Sequence, residues 1–236
     1  KVLSHENIVH LEAAELNFDR GRLHFLMEHC KGGELEMILR DHRRAGTRMP
    51  IEQVWNYFVQ IVNALNYMHT PMTRSDIIFD GPIAHRDLKP DNILLADEHR
   101  HDLKLADLGF SQHIEPGTEI ESSEGTLPYV APEALLSLPH NESADAWSLG
   151  CIVFEMLNGI RPFDDLNEEQ LSAAHENRAD YPIPDFNRDD DLSWSRLRSP
   201  QPGFRGKTNH GATFQPSHLS TEKIRARSIT MRPSHR

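Results

Sequence analysis

Hydrophobic positions recur along the chain with a changing period, and the changes mark its elements. Arg22 to Glu28 is a short, mostly apolar run with Gly21 ahead of it and Lys31-Gly32-Gly33 behind, which predicts a strand ending in a turn. Glu34 to Arg44 then places Leu35, Ile38 and Leu39 on one face of a helix. Pro50 opens a longer helix over Ile51 to His69, with Val54, Phe58, Ile61, Ala64, Leu65 and Met68 at three-and-four spacing. Both helices are expected to pack on a common core. Thr70 to Ile83, with Pro71, Asp76, Asp80, Gly81 and Pro82, keeps no period and reads as a loop. Ile93-Leu94-Leu95 and Leu103-Lys104-Leu105 are strand-like runs joined by polar residues, as in a hairpin. Ala144 to Leu157 is apolar on nearly every side apart from Asp145, Ser148 and Glu155, which predicts a helix at the centre of a helical region. From about Arg188 the period fades, and Ser, Pro, Gly, Arg and Asn accumulate.

Composition narrows the class. With 236 residues, 38% hydrophobic and 26% charged, the chain is long enough for one large domain or two small ones. The longest apolar run, Leu149 to Leu157, is interrupted by Glu155 and is too short to span a bilayer, so no membrane segment is expected. Cys30 and Cys151 lie far apart in apolar surroundings and are expected as reduced core residues, which points to a cytoplasmic or nuclear setting. The chain opens at Lys1 without a leader-like pattern and reads as an excerpt. Its net charge of -11 is uneven: from Ser195 onward there are nine Lys and Arg against one acid, Glu222, leaving 16 basic and 35 acidic residues before it. An acidic body argues against nucleic acid as the main ligand, because phosphate backbones are held by Lys and Arg. A basic tail either lies on the acidic body or is a solvated extension.

The segments that carry chemistry are His85-Arg86-Asp87-Leu88-Lys89-Pro90-Asp91-Asn92, then Asp107-Leu108-Gly109, then Gly125-Thr126-Leu127-Pro128-Tyr129-Val130-Ala131-Pro132-Glu133. In order and spacing they resemble the catalytic loop, metal-binding triplet and substrate platform of eukaryotic protein kinases, and Asp145-Ala146-Trp147-Ser148-Leu149-Gly150 resembles that family's central buried helix. The resemblance implies an α+β fold: a mainly helical C-terminal lobe with a remnant of the small-lobe sheet. It implies transfer of the ATP γ-phosphate to Ser or Thr hydroxyls of protein substrates, a reaction that needs positioning and charge compensation more than covalent help. Asp87 would accept or orient the hydroxyl proton, Lys89 would lie by the transferring phosphate, and Thr126 would complete the catalytic set. Asn92 and Asp107 would offer oxygen ligands to Mg2+. Met27 would be the gatekeeper of the adenine pocket, with Glu28, His29 and Cys30 the hinge, Leu94 the pocket floor, and Glu34 placed for the ribose or a basic substrate residue. Leu108 stands where most members carry Phe. Arg86 is expected to meet a phosphate on Ser122 or Ser123, or one of the acids Glu119, Glu121 and Glu124 in its place. Lys89 and Thr126 look like the serine/threonine branch, and the wording around them is similar to checkpoint-type and calmodulin-dependent-type kinases.

Departures from the family pattern limit what the resemblance implies. Lys1 to Leu11 resembles the end of the regulatory helix and the strand after it, so the glycine-rich loop and the Lys and Glu of the ATP clamp would precede Lys1. Thr70 to Ile83 is longer than usual and reads as a surface insertion or unspliced sequence. Pro202 to Arg205 is a degraded match to the late segment whose Arg meets the Glu of Ala-Pro-Glu, from which a Glu133 to Arg205 pair is expected; failing that, the basic segment around Arg225 to Ser228 is foreign or flexible. His99 and His101 read as solvated loop residues rather than a metal pair. The expected division is 1–187 as a truncated kinase domain, with 1–30 the small-lobe remnant and hinge and 31–187 the large lobe, and 188–236 as a divergent or disordered basic segment. This truncated chain is expected to be inactive or weak as an enzyme, with protein substrates and a regulatory protein as partners; a non-catalytic pseudokinase or interaction module, and a mis-predicted gene fragment with no stable independent existence, stand as alternative readings.

Overall fold

The computed structural model describes residues 3–17, 21–74, 77–122, 124–176 and 225–230. Strands β1 (Leu11–Asn17) and β2 (Arg22–Met27) pair antiparallel, with Ala14 opposite Phe25 and an irregularity between Leu11 and Ala13. The chain leaves β2 through Glu28, whose amide donates to the His10 carbonyl, and crosses to a second sheet at β3 (Gly33–Glu34). Gly32 makes that crossing possible. A Cβ there would lie 2.2 Å from the Asp97 carbonyl oxygen and 2.6 Å from Leu95 Cβ, a backbone approach that only glycine permits.

Helix α1 (Leu35–Ala45) buries Leu35, Ile38 and Leu39 and stops at Gly46, whose φ of 63° lets its amide turn back to the Arg43 carbonyl. Helix α2 (Ile51–His69) follows Pro50 and buries Val54, Ile61, Ala64, Leu65 and Met68. Phe58 is only partly buried. Tyr57 takes the core position instead, because its hydroxyl reaches the Arg100 carbonyl at 2.5 Å and so satisfies the polar end of a ring that is otherwise fully enclosed.

The stretch from Thr70 to Ile83 is not a plain loop. Strands β4 (Met72–Arg74) and β5 (Ile77–Phe79) form a hairpin, and β6 (Ile83–Ala84) pairs with the later segment Gln112–His113. Strands of two or three residues are too short to establish a period of two among turn-forming neighbours, which is why the pattern hides them. The expected hairpin is present: β7 (Ile93–Leu95) and β8 (Leu103–Leu105) pair antiparallel, with β3 on the other side of β7. Beyond them come β9 (Gln112–His113), α3 (Pro132–Leu135), α4 (Ala144–Asn158) and α5 (Glu168–Glu176). Residues Arg225–Thr230, where the sequence shows no period, form β10, antiparallel to β2 in a sheet of order β1-β2-β10.

One hydrophobic cluster ties the body together. Leu35 and Leu39 of α1, Ile61 and Met68 of α2, Ile152 and Met156 of α4, and Ile93, Leu95, Leu103 and Leu105 of the hairpin are all essentially inaccessible. Burying each such side chain contributes about 1.5–3 kcal/mol. The architecture is the expected α+β arrangement of a mostly helical body and a small, incomplete sheet. Both cysteines are free; Cys151 is buried as expected, whereas Cys30 is only half-buried. No helix among the described residues is long and apolar enough to cross a membrane. The boundary expected at 187/188, Ser123, and the Arg205 end of the Glu133 pairing lie outside the described residues.

Ile152→Ala is expected to destabilise the fold by about 2–5 kcal/mol, while Trp55→Ala on the exposed side of α2 changes stability by no more than about 0.5 kcal/mol. Urea unfolding of the two variants beside the parent chain measures the difference.

Candidate active site

The segment from His85 to Asn92 is held from below by Asp145, in the first turn of α4. Its carboxylate is 1% exposed and accepts the backbone N–H of His85 at 2.8 Å and of Arg86 at 2.9 Å, and the His69 ring from α2 at 2.8 Å. A charge in an apolar helix needs such partners. The clamp fixes Arg86 in the left-handed region, φ 70°, which turns the following residue back over the hairpin. Burial by itself pushes the Asp145 carboxyl up, but the hydrogen bond from His69, the His85 ring and the two amides together outweigh it and hold it below the usual value. His85 is fully buried, which lowers its pKa and keeps the ring neutral; Nε2 donates to the Ala106 carbonyl at 3.2 Å.

Asp87, Lys89, Asn92 and Thr126, grouped from the sequence, come together in space. The Asp87 carboxylate, 5% exposed, accepts the Thr126 hydroxyl at 2.6 Å on Oδ1, and on Oδ2 meets Lys89 Nζ at 2.8 Å and Asn92 Nδ2 at 3.1 Å. Lys89 also donates to Thr126 Oγ1 at 2.8 Å, closing a triangle among three residues from two distant segments. The Asn92 amide gives a second hydrogen bond to the Asp87 carbonyl at 2.8 Å. Both of its N–H groups are thereby committed to Asp87, and the carbonyl oxygen is what the side chain has left to offer. Asp107 is brought alongside by the Ala106 amide, which donates to the Asn92 carbonyl at 2.8 Å. It is exposed, adopts φ 58°, and accepts the Gly109 amide on Oδ1. Asn92 and Asp107 thus sit on segments joined by the Ala106 to Asn92 hydrogen bond, and the donors their side chains offer are oxygens, the kind a hard cation takes. Among the described residues no group of three or more His, Cys, Asp or Glu side chains is placed to hold a metal by itself, and His99 and His101 belong to no such group.

The second set of residues lies along the crossing between the sheets. Glu28 is engaged by its own side chain, which accepts the His10 amide at 2.7 Å and pairs with Lys104 at 2.9 Å. In the β3-β7-β8 sheet Glu34 stands opposite Leu94, and Leu94 opposite Lys104, so the three form one row across the sheet with Glu28 paired to the lysine at its end. Met27 ends β2 immediately before Glu28, and Cys30 follows, its thiol pushed up to about 11 by burial and by the Glu28 charge.

Arg86 is the hub of the segment after Asp107-Leu108-Gly109. Its guanidinium donates to the Phe110 carbonyl at 3.3 Å, the Gln112 side chain at 2.8 Å and the Ser122 hydroxyl, and lies 3.3 Å from the Glu124 carboxylate. Of the three acids considered, Glu124 is the one that reaches it, and Ser122 shares the same cation.

Sequence reasoning missed the ion network beneath this platform. Glu155 of α4 is fully buried, accepts the Tyr129 hydroxyl at 2.5 Å, and pairs with Arg43 of α1. Arg43 and Arg161 both reach Glu36, and Arg161 Nε lies 3.7 Å from Glu155. Burial pushes the Glu155 carboxyl up, opposed by the Tyr129 hydroxyl and the two arginines. The signal was a glutamate inside an apolar helix, which requires a cation; which cation meets it is decided by tertiary packing.

A protein kinase domain family profile matches residues 1–204, and the chain belongs to that family, broadly to its serine/threonine branch. The probable serine/threonine-protein kinase nek2 of Dictyostelium discoideum is 35% identical over 182 residues, covering 77% of this chain and 41% of that protein. The Aurora kinase of Schizosaccharomyces pombe is 34% identical over 185 residues, covering 78% of this chain and 46% of that protein. Serine/threonine-protein kinase ULK3 of Homo sapiens is 35% identical over 164 residues, 69% of this chain and 31% of that protein. The chain spans less than half the length of each, and relatives so differently named single out neither a checkpoint-type nor a calmodulin-dependent-type subfamily.

Two outcomes are expected of the buried charges. Because the folded-state pKa of Asp145 lies below its unfolded value, its stabilisation is fully present above about pH 4 and is lost as pH falls through the folded value; Asp145→Asn should lower stability at neutral pH and flatten this acid limb, as read by unfolding against pH. Arg43→Ala leaves Glu155 buried with less compensation and should cost about 3–5 kcal/mol, part of which Glu155→Gln in the same chain restores.

Proposed function

We propose that the chain carries the catalytic lobe of a serine/threonine protein kinase and takes part in moving the ATP γ-phosphate to Ser or Thr hydroxyls of protein substrates. The observation that carries this reading is the Asp87 carboxylate held between Lys89, Thr126 and Asn92. A carboxylate so fixed can orient an incoming hydroxyl and take its proton, while Lys89 beside it offers positive charge to the phosphate being moved. Thr126 holds both groups at one spacing. Asn92 and Asp107 would hold Mg2+, which when bound supplies charge neutralisation at the phosphate oxygens. Met27, Glu28 and Cys30 would receive the adenine against Leu94, with Glu34 meeting the ribose or a basic substrate residue. In this reading 1–30 is small-lobe remnant and hinge, 31–187 the large lobe and 188–236 a divergent basic segment whose Arg225–Thr230 stretch pairs with β2, in a cytoplasmic or nuclear protein with protein partners.

This chain is proposed to bind nucleotide and transfer phosphate weakly. Calorimetric titration with MgATP should give weak binding that Asp107→Asn abolishes without unfolding the chain. Transfer to Ser/Thr peptides, followed by mass spectrometry, should fall by about 10²–10⁴-fold in Asp87→Asn. Transfer that survives Asp87→Asn unchanged would sink the proposal. A folded chain with neither binding nor transfer favours the non-catalytic interaction module.

A further inference from the structure

The lace between the hinge and the segment that leads into β1 is asymmetric. One of its two hydrogen bonds is backbone to backbone, from the Glu28 amide to the His10 carbonyl at 3.0 Å. The other runs from the His10 amide to the Glu28 carboxylate, at 2.7 Å on Oε1. A glutamate side chain turns about several bonds, so this second hydrogen bond persists only where something fixes the carboxylate. Lys104 does so: its Nζ lies 2.9 Å from the same Oε1. The two side chains are 18% and 29% exposed, which shields the pair from most of the solvent that makes surface pairs weak. We propose that Lys104 is a positioning residue for the nucleotide: by fixing the Glu28 carboxylate on the His10 amide, it sets the backbone from Glu28 to Cys30 where an adenine is received over Leu94. The proposal rests on the nucleotide reading above and adds to it the residue that prepares the adenine end.

The place of Lys104 in the fold suits the role. Leu103 and Leu105 on either side of it are fully buried, and alternation along β8 turns Lys104 to the opposite face. There it stands directly across from Leu94, so its stem neighbours the proposed adenine floor while its ammonium reaches Glu28. Cys30, at the far end of the hinge, feels both charges: Glu28 raises its thiol pKa and Lys104 lowers it. Three residues beyond Lys104 the same stretch of backbone delivers Asp107, so the adenine end and the cation end are referenced to one strand.

Hydrogen exchange and calorimetric titration test this on the full chain and on Lys104→Met, Lys104→Arg, Glu28→Ala and the double variant of Glu28→Ala with Lys104→Met. In Lys104→Met the His10 amide should exchange about tenfold faster or more, while α4 amides keep their protection. Affinity for adenosine and for MgATP should fall about fivefold or more and affinity for magnesium tripolyphosphate should not change, with Lys104→Arg restoring both readouts. Added to Glu28→Ala, Lys104→Met should have no further effect, because Lys104 acts through that carboxylate. Unchanged adenosine binding in Lys104→Met, an equal loss for tripolyphosphate, or an undiminished effect in the Glu28→Ala background overturns the proposal and leaves the nucleotide reading standing. A folded parent chain that binds neither adenosine nor MgATP overturns both. If Lys104→Met loses α4 protection as well, Lys104→Gln decides on the same readouts.

Discussion

Two backbone amides ending on one buried carboxylate set the geometry on which the candidate site rests. Asp145 receives His85 and Arg86 together, and this holds Arg86 in a left-handed conformation that a non-glycine residue adopts only when its surroundings enforce it, at a cost of about 1–3 kcal/mol. The turn that results delivers Asp87 to Lys89 and Asn92 and points the Arg86 side chain the other way, toward Gln112, Ser122 and Glu124. One interaction therefore governs both the Asp87 carboxylate and the placement of the segment that carries Thr126. The helix that supplies Asp145 is the most apolar of the described helices, and its Ile152 and Met156 lie in the main hydrophobic cluster, so the clamp is anchored in the core.

Beneath the same platform, Glu155 repeats the logic with different chemistry. A glutamate that shares α4 with Asp145 collects a tyrosine from the substrate-platform segment and an arginine from α1, linking three elements through side chains where Asp145 links through backbone. Tyr129 and Thr126 stand one turn apart, joined by the Tyr129 amide to the Thr126 carbonyl at 2.8 Å. The segment between Gly125 and Glu133 is thus pinned on one side by Asp87 and on the core side by Glu155.

Much of this was legible in the sequence wherever the information is local. The faces of α1 and α2, the β7-β8 hairpin and the apolar α4 announce themselves through period and turn residues. Asp87, Lys89 and Asn92 sit within six residues of one another, and an order of motifs carried Thr126 and Asp107 to them. What escaped depends on pairing across long separations. Two- and three-residue strands at Met72–Arg74 and Ile77–Phe79 leave no period, and Arg225–Thr230 shows nothing in its own sequence that names β2 as its partner. Arg43 and Arg161 look like any surface cations until α1 and the chain after α4 bring them to Glu36 and Glu155.

The Gly32 contact has a mechanical consequence. Lys31 and Gly32 are bonded to the Ala96 and Leu95 carbonyls, and the missing Cβ lets that backbone rest directly on Asp97, so torsional freedom in this crossing ends at Lys31. A second crossing runs beside it, where Val9 donates to the Leu105 carbonyl and the Leu105 amide to Asn7. The two crossings are laced together by Glu28 and His10, whose backbones and one side chain exchange hydrogen bonds. A plate carried on two adjacent pins swings about the line joining them and resists twisting. The β1-β2 ribbon is mounted in this way on the β3-β7-β8 sheet, so a swing of one against the other would be confined to the line through the two crossings.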